Sequence, residues 1–167
     1  MNIFVLDLEP TLCAQYHCNK HVCKMILEYA QILSTTHHVL KTSILERSDI
    51  TIYKATHKNH PCTIWARNCL ENYQWLSLLA LSLCDEYTFR YNKIHKSQQL
   101  LMVLAVNWPF LHSHLNEHSM CSVSPFAQAM PVKYRNEDPV TAYRNYYIGE
   151  KKHFAKYTKR EAPAWLN

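Results

Sequence analysis

The chain has 167 residues, of which 48% are hydrophobic and 19% are charged, and its formal net charge is +5. This length and composition predict one globular domain with a real hydrophobic core and exclude wholesale disorder. The single glycine, Gly149, excludes a P-loop and a glycine-rich dinucleotide-binding motif, and favours helices over a turn-rich β fold. The mild basic excess fits a polyanionic ligand such as DNA or a nucleotide.

Helical periodicity and capping residues predict a mostly α chain, a single compact domain with one short N-terminal strand, two long core helices and a basic, aromatic C-terminal helix. Pro10, Pro61 and Pro139 suit the first turns of three predicted helices. The predicted elements are a strand at 2–7, helices at 10–40, 61–91, 98–106 and 139–157, a single helical turn at 125–130, and loops at 41–58 and 107–124.

Neither a secretory signal nor an apolar run long enough to cross a bilayer is found in the sequence. We therefore expect a cytoplasmic protein with no membrane partner. The seven cysteines include no CxxC pair, so we expect them to be buried, reduced core residues.

A stripe of seven polar residues runs along one side of the first predicted helix. The residues are spaced by four and three positions in alternation, so all of them lie along one seam of a helix. Apolar rows on both sides predict that the seam lines an internal cleft, where acid–base, nucleophilic or metal chemistry becomes feasible. The seven residues are His17, His21, Lys24, Glu28, Gln31, Thr35 and His38.

His17 and His21 are spaced i, i+4 and can face a divalent metal ion together. The zinc-protease signature requires a glutamate directly after the first histidine, and Cys18 stands there instead. Lys24, one turn away, would also repel a metal ion. We therefore expect no cofactor, with the two histidines hydrogen-bonded in a polar cleft, and we keep a metal-dependent hydrolase as an alternative.

Lys24 and Glu28 are also spaced i, i+4. In a cleft they would supply a nucleophilic amine and a general acid–base group, whereas on a surface they would form only a weak salt bridge.

Polar residues also surround the start of the second predicted helix. His57, Lys58 and His60 flank a helix N-terminus, whose free N–H groups and positive dipole attract anions. This arrangement predicts an anion site, with simple capping of the helix by Asn59 as the alternative.

Further candidates for substrate binding lie beyond this helix start. Asn68 continues at helical spacing with Trp65 and Trp75 and suits hydrogen bonding to a base, although such tryptophans are more often core residues. Gln128 is the only polar residue at 126–131 and is a candidate specificity contact. The predicted substrate-binding residues are Gln31, His38, His57, His60, Asn68 and Gln128.

Basic and aromatic residues alternate along the last predicted helix. This pattern suits a nucleic-acid backbone with base stacking, and a solvated amphipathic helix explains it equally well. The same helix offers a possible homodimer interface.

Two stretches of the chain resemble the pyrimidine-dimer DNA glycosylases of the bacteriophage endonuclease V type. The stretches are Ala14-Gln15-Tyr16-His17 with the basic and acidic residues that follow, and Asn59-His60-Pro61 before a long helix closed by Glu86-Tyr87 and Arg90-Tyr91. The resemblance implies a small, phage-type helical enzyme that grips a duplex and flips a nucleotide. It also implies attack on the sugar by an α-amino group that removal of the initiator methionine exposes.

Residue 2 is Asn, which generally prevents that removal, so we expect a lysine nucleophile, most simply Lys24. Glu28 is the nearest counterpart of the catalytic glutamate of that family. The leading interpretation is an enzyme that acts on DNA or a nucleotide and cleaves or exchanges a glycosidic bond, with catalytic residues His17, His21, Lys24 and Glu28. The alternative of another class is a phage protein that sequesters a nucleotide in the same cleft without turnover.

Overall fold

The computed structural model describes residues 1–109 and 123–167. Over these residues it contains α-helices and short 3-10 turns but no β-strand, which confirms the all-α class and the two long core helices. No helix in this part of the chain is long and apolar enough to cross a membrane. The helices are α1 (Pro10–Tyr16), α2 (Asn19–Leu40), α3 (Pro61–Ala66), α4 (Leu70–Tyr91), α5 (Gln98–Val106) and α6 (Pro139–Glu150).

The N-terminal segment is buried but forms no strand, so the predicted strand at 2–7 is wrong. Side chains of the surrounding helices satisfy its backbone in place of a neighbouring strand. The Cys13 thiol donates to the Phe4 carbonyl oxygen at 3.3 Å, and Arg144 Nε donates to the Leu6 carbonyl oxygen at 2.9 Å. A short apolar run indicates burial, and burial among helices gives the same pattern as burial in a sheet.

The first predicted helix is in fact two helices, because the chain is extended at His17 and Cys18. The Cys18 N–H donates to the Tyr147 hydroxyl at 3.0 Å, and His17 Nδ1 lies 2.8 Å from the Cys13 carbonyl oxygen. These contacts satisfy groups that a continuous helix would have paired. His17 therefore lies outside the helical seam, which begins at His21.

The second predicted helix also divides, into α3 and α4. The Asn72 side chain closes the break by donating to the Trp65 carbonyl oxygen at 2.8 Å and to Ser124 Oγ at 2.7 Å. Trp65 and Trp75 are buried, as their core interpretation predicted.

The remaining boundaries are partly as predicted. Helix α5 has the predicted bounds, whereas α6 ends at Glu150 and not near Tyr157. The predicted helical turn at 125–130 is wrong, because this stretch is not helical. Most of the predicted loop at 107–124 lies outside the described residues.

Helices α2 and α4 run antiparallel through the core. The Tyr91 hydroxyl donates to the Asn19 carbonyl oxygen at one end, and His37 Nε2 lies 2.8 Å from the Tyr73 hydroxyl at the other. The cysteines of the described residues are all free, and only Cys23 is exposed, contrary to the expectation that every cysteine is buried.

Glu86 on α4 forms a buried ion-pair cluster with Arg90 and Arg160. Arg90 Nε donates to Glu86 at 2.7 Å, and Arg160 donates to the same carboxylate at 3.0 and 2.9 Å. Burial acts to raise the pKa of Glu86, but the hydrogen bonds from Arg160 and Arg90 outweigh it and hold the pKa below its ordinary value. The cluster ties the C-terminal residues to α4.

We predict that Glu86→Gln lowers the free energy of unfolding by about 3 kcal/mol near pH 7, because it leaves Arg90 buried without a counter-charge. A carboxylate with a lowered folded-state pKa stabilises the fold above its unfolded-state pKa and loses this effect as the pH falls through the folded-state value. The difference between wild type and variant should therefore shrink below about pH 4. Urea unfolding measures it, with Glu161→Gln at an exposed position as the control. A difference that does not depend on pH would contradict the assignment.

Candidate active site

Glu28 on α2 lies at the centre of the candidate active site. Its side chain is 12% exposed, and its two oxygens face different groups. Oε2 accepts a hydrogen bond from the Asn2 backbone N–H at 3.0 Å and lies 3.7 Å from the α-amino nitrogen of Met1. Oε1 lies 3.3 Å from Lys24 Nζ. One carboxylate therefore binds the start of the chain and holds two amines beside it.

The Asn2 side chain fixes the first residues against the core. Its Oδ1 accepts a hydrogen bond from the Tyr143 hydroxyl at 3.0 Å, and its Nδ2 donates to the Ala129 carbonyl oxygen at 3.0 Å. Next to it, Thr63 Oγ1 donates to Met1 Sδ at 3.6 Å. Contacts from α2, α3 and α6 therefore set the position of the Met1 amine.

The two amines belong to residues that differ in their exposure to solvent. The Met1 side chain is only 3% exposed although the residue as a whole is partly exposed, so the accessible surface of Met1 belongs to its main chain. The Lys24 side chain is 62% exposed. Lys24 and the main chain of Met1 thus face the solvent, while the carboxylate beside both amines is largely shielded from water.

His60 joins this cluster from the start of α3. Its Nδ1 accepts a hydrogen bond from the Cys62 N–H at 3.2 Å, so the residue that caps α3 is His60 and not Asn59. Burial and the positive Met1 α-amino group lower the pKa of His60, His57 adds to the effect, and Glu28 opposes it. His60 therefore lies close enough to the amine and to Glu28 to respond to both charges.

His17 is completely buried and hydrogen-bonded on both ring nitrogens. Nδ1 lies 2.8 Å from the Cys13 carbonyl oxygen, and Nε2 lies 3.3 Å from the Tyr29 hydroxyl. Burial lowers the pKa of His17 to about 4, so the ring is neutral near pH 7. A catalytic role for His17 stays a prediction.

His21 lies closer to the surface but is still only 6% exposed. Its ring stacks on Phe4 with centroids 4.4 Å apart, and its Nδ1 has no hydrogen-bond partner in the part of the chain that the structure describes. Burial, together with the positive groups around it, lowers the pKa of His21 to about 3. Within residues 1–109 and 123–167, no group of three or more His, Cys, Asp or Glu side chains is placed to hold a metal ion.

Three of the predicted binding residues take different positions relative to Glu28. Gln31 is partly exposed and follows Glu28 by one helical turn. His38 lies near the far end of α2, with its Nε2 3.0 Å from the Tyr53 carbonyl oxygen. Asn68 is exposed beyond the C-terminal end of α3, opposite the end that His60 caps. The structure therefore brings Lys24, Glu28, Gln31 and His60 together and places His38 and Asn68 apart from them.

His57 is exposed and adopts a left-handed backbone conformation, with φ of 48°. Its Nδ1 hydrogen-bonds to Thr56 Oγ1. The charge of His57 acts on His60, so His57 lies at the edge of the Glu28 cluster.

An open groove of about 800 Å³ begins at Pro61, directly after His60, and is lined by Phe126, Gln128 and Arg135. The Gln128 amide donates to the Asn136 carbonyl oxygen at 2.6 Å and accepts from the Asn136 N–H at 3.1 Å. Gln128 thus holds one wall of the groove together. The volume lies within the range of small-molecule binding sites.

Sequence reasoning set the α-amino group aside in favour of Lys24, and it missed the structural roles of Asn2 and Tyr143. The available signal was the polar Asn2 directly before the apolar residues Ile3 and Phe4, since a polar residue in a buried segment requires partners. Its partner Tyr143 comes 141 residues later, so only the tertiary structure reveals the pairing.

A family model described as pyrimidine dimer DNA glycosylase matches residues 1–99, more than half of the chain. The chain belongs to this family. The matched stretch contains Met1, Lys24, Glu28 and His60, and membership supports a DNA-acting, glycosylase-like enzyme. Neither the curated proteins nor the solved structures include a match to the chain.

We predict that His21 makes the fold less stable in acid. A histidine whose pKa is lowered on folding contributes stability above its unfolded-state pKa, and this contribution is lost as the pH falls from about 6.5 towards the folded-state value. His21→Phe keeps an aromatic ring on Phe4 but cannot titrate, so its free energy of unfolding should depend less steeply on pH between about 6.5 and 4 than that of the wild type. Denaturant unfolding across this range measures the effect, with the exposed His153→Phe as the control. Equal steepness in wild type and His21→Phe would contradict a buried, neutral His21.

Proposed function

We propose that the protein is a glycosylase that acts on pyrimidine dimers in DNA through an amine held by Glu28. The observation that carries this proposal is the geometry of the carboxylate, which binds the Asn2 N–H and lies 3.7 Å from the Met1 amine and 3.3 Å from Lys24 Nζ. A shielded carboxylate beside two amines suits covalent catalysis by an amine, because the carboxylate can accept the proton that the attacking amine releases.

In the proposed reaction, the lone pair of a neutral amine forms a bond to C1′ of the deoxyribose. The bond from C1′ to the base breaks, and its electron pair leaves with the base. Glu28 accepts the proton that the amine releases. When the sugar ring opens and its oxygen takes up a proton, an imine links C1′ to the enzyme. Loss of a proton from C2′ then expels the 3′ phosphate with the electron pair of its C–O bond, which incises the strand. Borohydride reduces the imine to a stable adduct.

Of the two amines, the α-amino group of Met1 is the favoured nucleophile. The contacts of Asn2 and Thr63 fix its position, whereas Lys24 lies at the end of a long, exposed side chain. The assignment applies to a chain whose first residue is Met1, and Lys24, with Nζ 3.3 Å from Glu28, stays the second candidate.

The groove beside His60 gives this chemistry a place for the nucleotide that leaves the duplex. An enzyme that acts at a glycosidic bond needs its target unstacked, at a cost of a few kcal/mol. Phe126, stacked on Trp65 with centroids 5.0 Å apart, offers an aromatic wall, and the exposed Arg135 offers a cation for a phosphate. Gln31, His57 and His60 are proposed as substrate contacts between this groove and Glu28.

We predict that the wild-type protein incises a duplex that carries a pyrimidine dimer, and that Glu28→Gln lowers the rate by about 10²- to 10⁴-fold. The amide can still accept from the Asn2 N–H, so the fold is kept while the proton acceptor is lost. The exposed Glu46→Gln is the matched control and should incise at the wild-type rate. Absence of incision by the wild type, or full activity of Glu28→Gln, would contradict the proposal.

A further prediction separates the two amines. Lys24→Ala should retain incision within about tenfold of the wild type, whereas two residues added before Met1 should abolish it by displacing the α-amino group from Glu28. The same two residues added after Asn167 provide the control. Loss of incision in Lys24→Ala together with retention in the extended protein would assign the reaction to Lys24 and contradict the favoured assignment.

A further inference from the structure

Three lysines surround His21 on the face of the molecule next to Glu28. Lys20 and Lys24 lie one turn apart on α2, and Lys151 directly follows α6. After burial and His17, the charges of Lys151, Lys24 and Lys20 are what lowers the pKa of His21. Each of these three lysines therefore disfavours the protonated form of the ring.

Two of these lysines rest on aromatic rings that contact the same cluster. Lys20 Nζ lies 4.7 Å from the centre of the Phe154 ring, and Lys151 Nζ lies 4.9 Å from the centre of the Tyr146 ring. The Phe154 ring is 5.8 Å from His21, edge to face. Cation–π attraction restrains both ammonium groups before any ligand arrives, which lowers the entropy lost on binding.

Two of the three cations form no ion pair in the described part of the chain. Lys24 pairs with Glu28, whereas neither Lys20 nor Lys151 contacts a carboxylate directly, although the charge of Lys151 acts on the neighbouring Glu150. His21, with only 6% of its surface exposed, also keeps Nδ1 without a hydrogen-bond partner among residues 1–109 and 123–167. A buried polar atom without a partner costs free energy, and such atoms mark sites where a ligand or ion completes the structure.

We propose that Lys20 and Lys151, with His21 beside them, bind a phosphodiester of the DNA backbone next to the Glu28 site. A phosphate supplies the missing counter-charge and hydrogen-bond acceptors for both ammonium groups. Lys20 is two helical turns from Glu28, about 12 Å along α2, which is a suitable distance for a phosphate flanking the reacting sugar. The identity of the polyanion as DNA rests on the proposed function.

This phosphate site uses parts of the chain that the family match does not include. Tyr146, Lys151 and Phe154 lie outside residues 1–99 and bring the end of α6 and the turn after it to the face of α2. The inference therefore assigns a role in substrate positioning to the C-terminal third of this chain.

The test measures binding of a lesion-free duplex by fluorescence anisotropy at about 50 to 200 mM NaCl. Lys20→Ala and Lys151→Ala should each reduce the slope of log K against log salt by about 0.9, since each removes one phosphate contact. Lys20→Arg and Lys151→Arg should keep the wild-type slope. Lys54→Ala is the control, because Lys54 lies far from the proposed site. Its neighbour Tyr53 contacts His38, which is about 21 Å along α2 from Lys24. Unchanged slopes, or an equal change in Lys54→Ala, would overturn the site.

A second readout reports on the site itself. The NMR signals of the His21 ring should shift when the lesion-free duplex is added, and Lys151→Ala should remove most of that shift. An equal shift with inorganic phosphate alone, at the same phosphate concentration, would overturn DNA as the ligand. Because the duplex carries no lesion, intact binding with no incision of damaged DNA would refute the proposed function while leaving this site supported.

Discussion

The contact between the Glu28 carboxylate and the first two residues is the interaction on which the site depends. A carboxylate with 12% exposure must recover the hydrogen bonds that it loses with water, and the Asn2 N–H provides one of them at 3.0 Å. The two amines beside it supply the compensating charge. The same contact that makes Glu28 tolerable inside the protein therefore fixes the nucleophile that we propose.

The extended N-terminal segment carries this contact into the core. Its side chains are buried, and its backbone is satisfied by Cys13 and Arg144 and not by a strand. The Asn2 side chain is held by Tyr143 of α6, and the Cys18 N–H is held by Tyr147 of the same helix. Helix α6 lies outside the part of the chain that matches the family, yet it completes the surroundings of the candidate active site.

Local sequence patterns correctly predicted the helix boundaries that depend only on neighbouring residues. The bounds of α5 and the proline starts of α1, α3 and α6 followed from periodicity and capping. The breaks at His17 and Arg67 were not predicted, because Tyr147 and Ser124 stabilise them from far along the chain. A regular apolar pattern cannot distinguish one long helix from two helices that continue in a similar direction.

The residues of the candidate site divide in the same way, into those that local patterns reveal and those that only the tertiary structure reveals. Lys24 and Glu28 were found because both lie on one helical seam, and the family was recognised from short motifs that include His60. The α-amino group was set aside in favour of Lys24, and the position of the Met1 amine beside Glu28 was not predicted, because it depends on how an extended segment packs against three helices. His17 and His21 share the seam spacing, but burial holds their pKa values at about 4 and about 3, which spacing alone could not reveal.

The most direct test of this account is covalent trapping. The protein is incubated with a duplex that carries one pyrimidine dimer in the presence of borohydride, and the site of attachment is mapped by mass spectrometry. The account predicts a reduced adduct on the α-amino group of Met1, with strongly reduced yield in Glu28→Gln. Incision without any trapped adduct, or an adduct on an amine that does not lie beside Glu28, would contradict it.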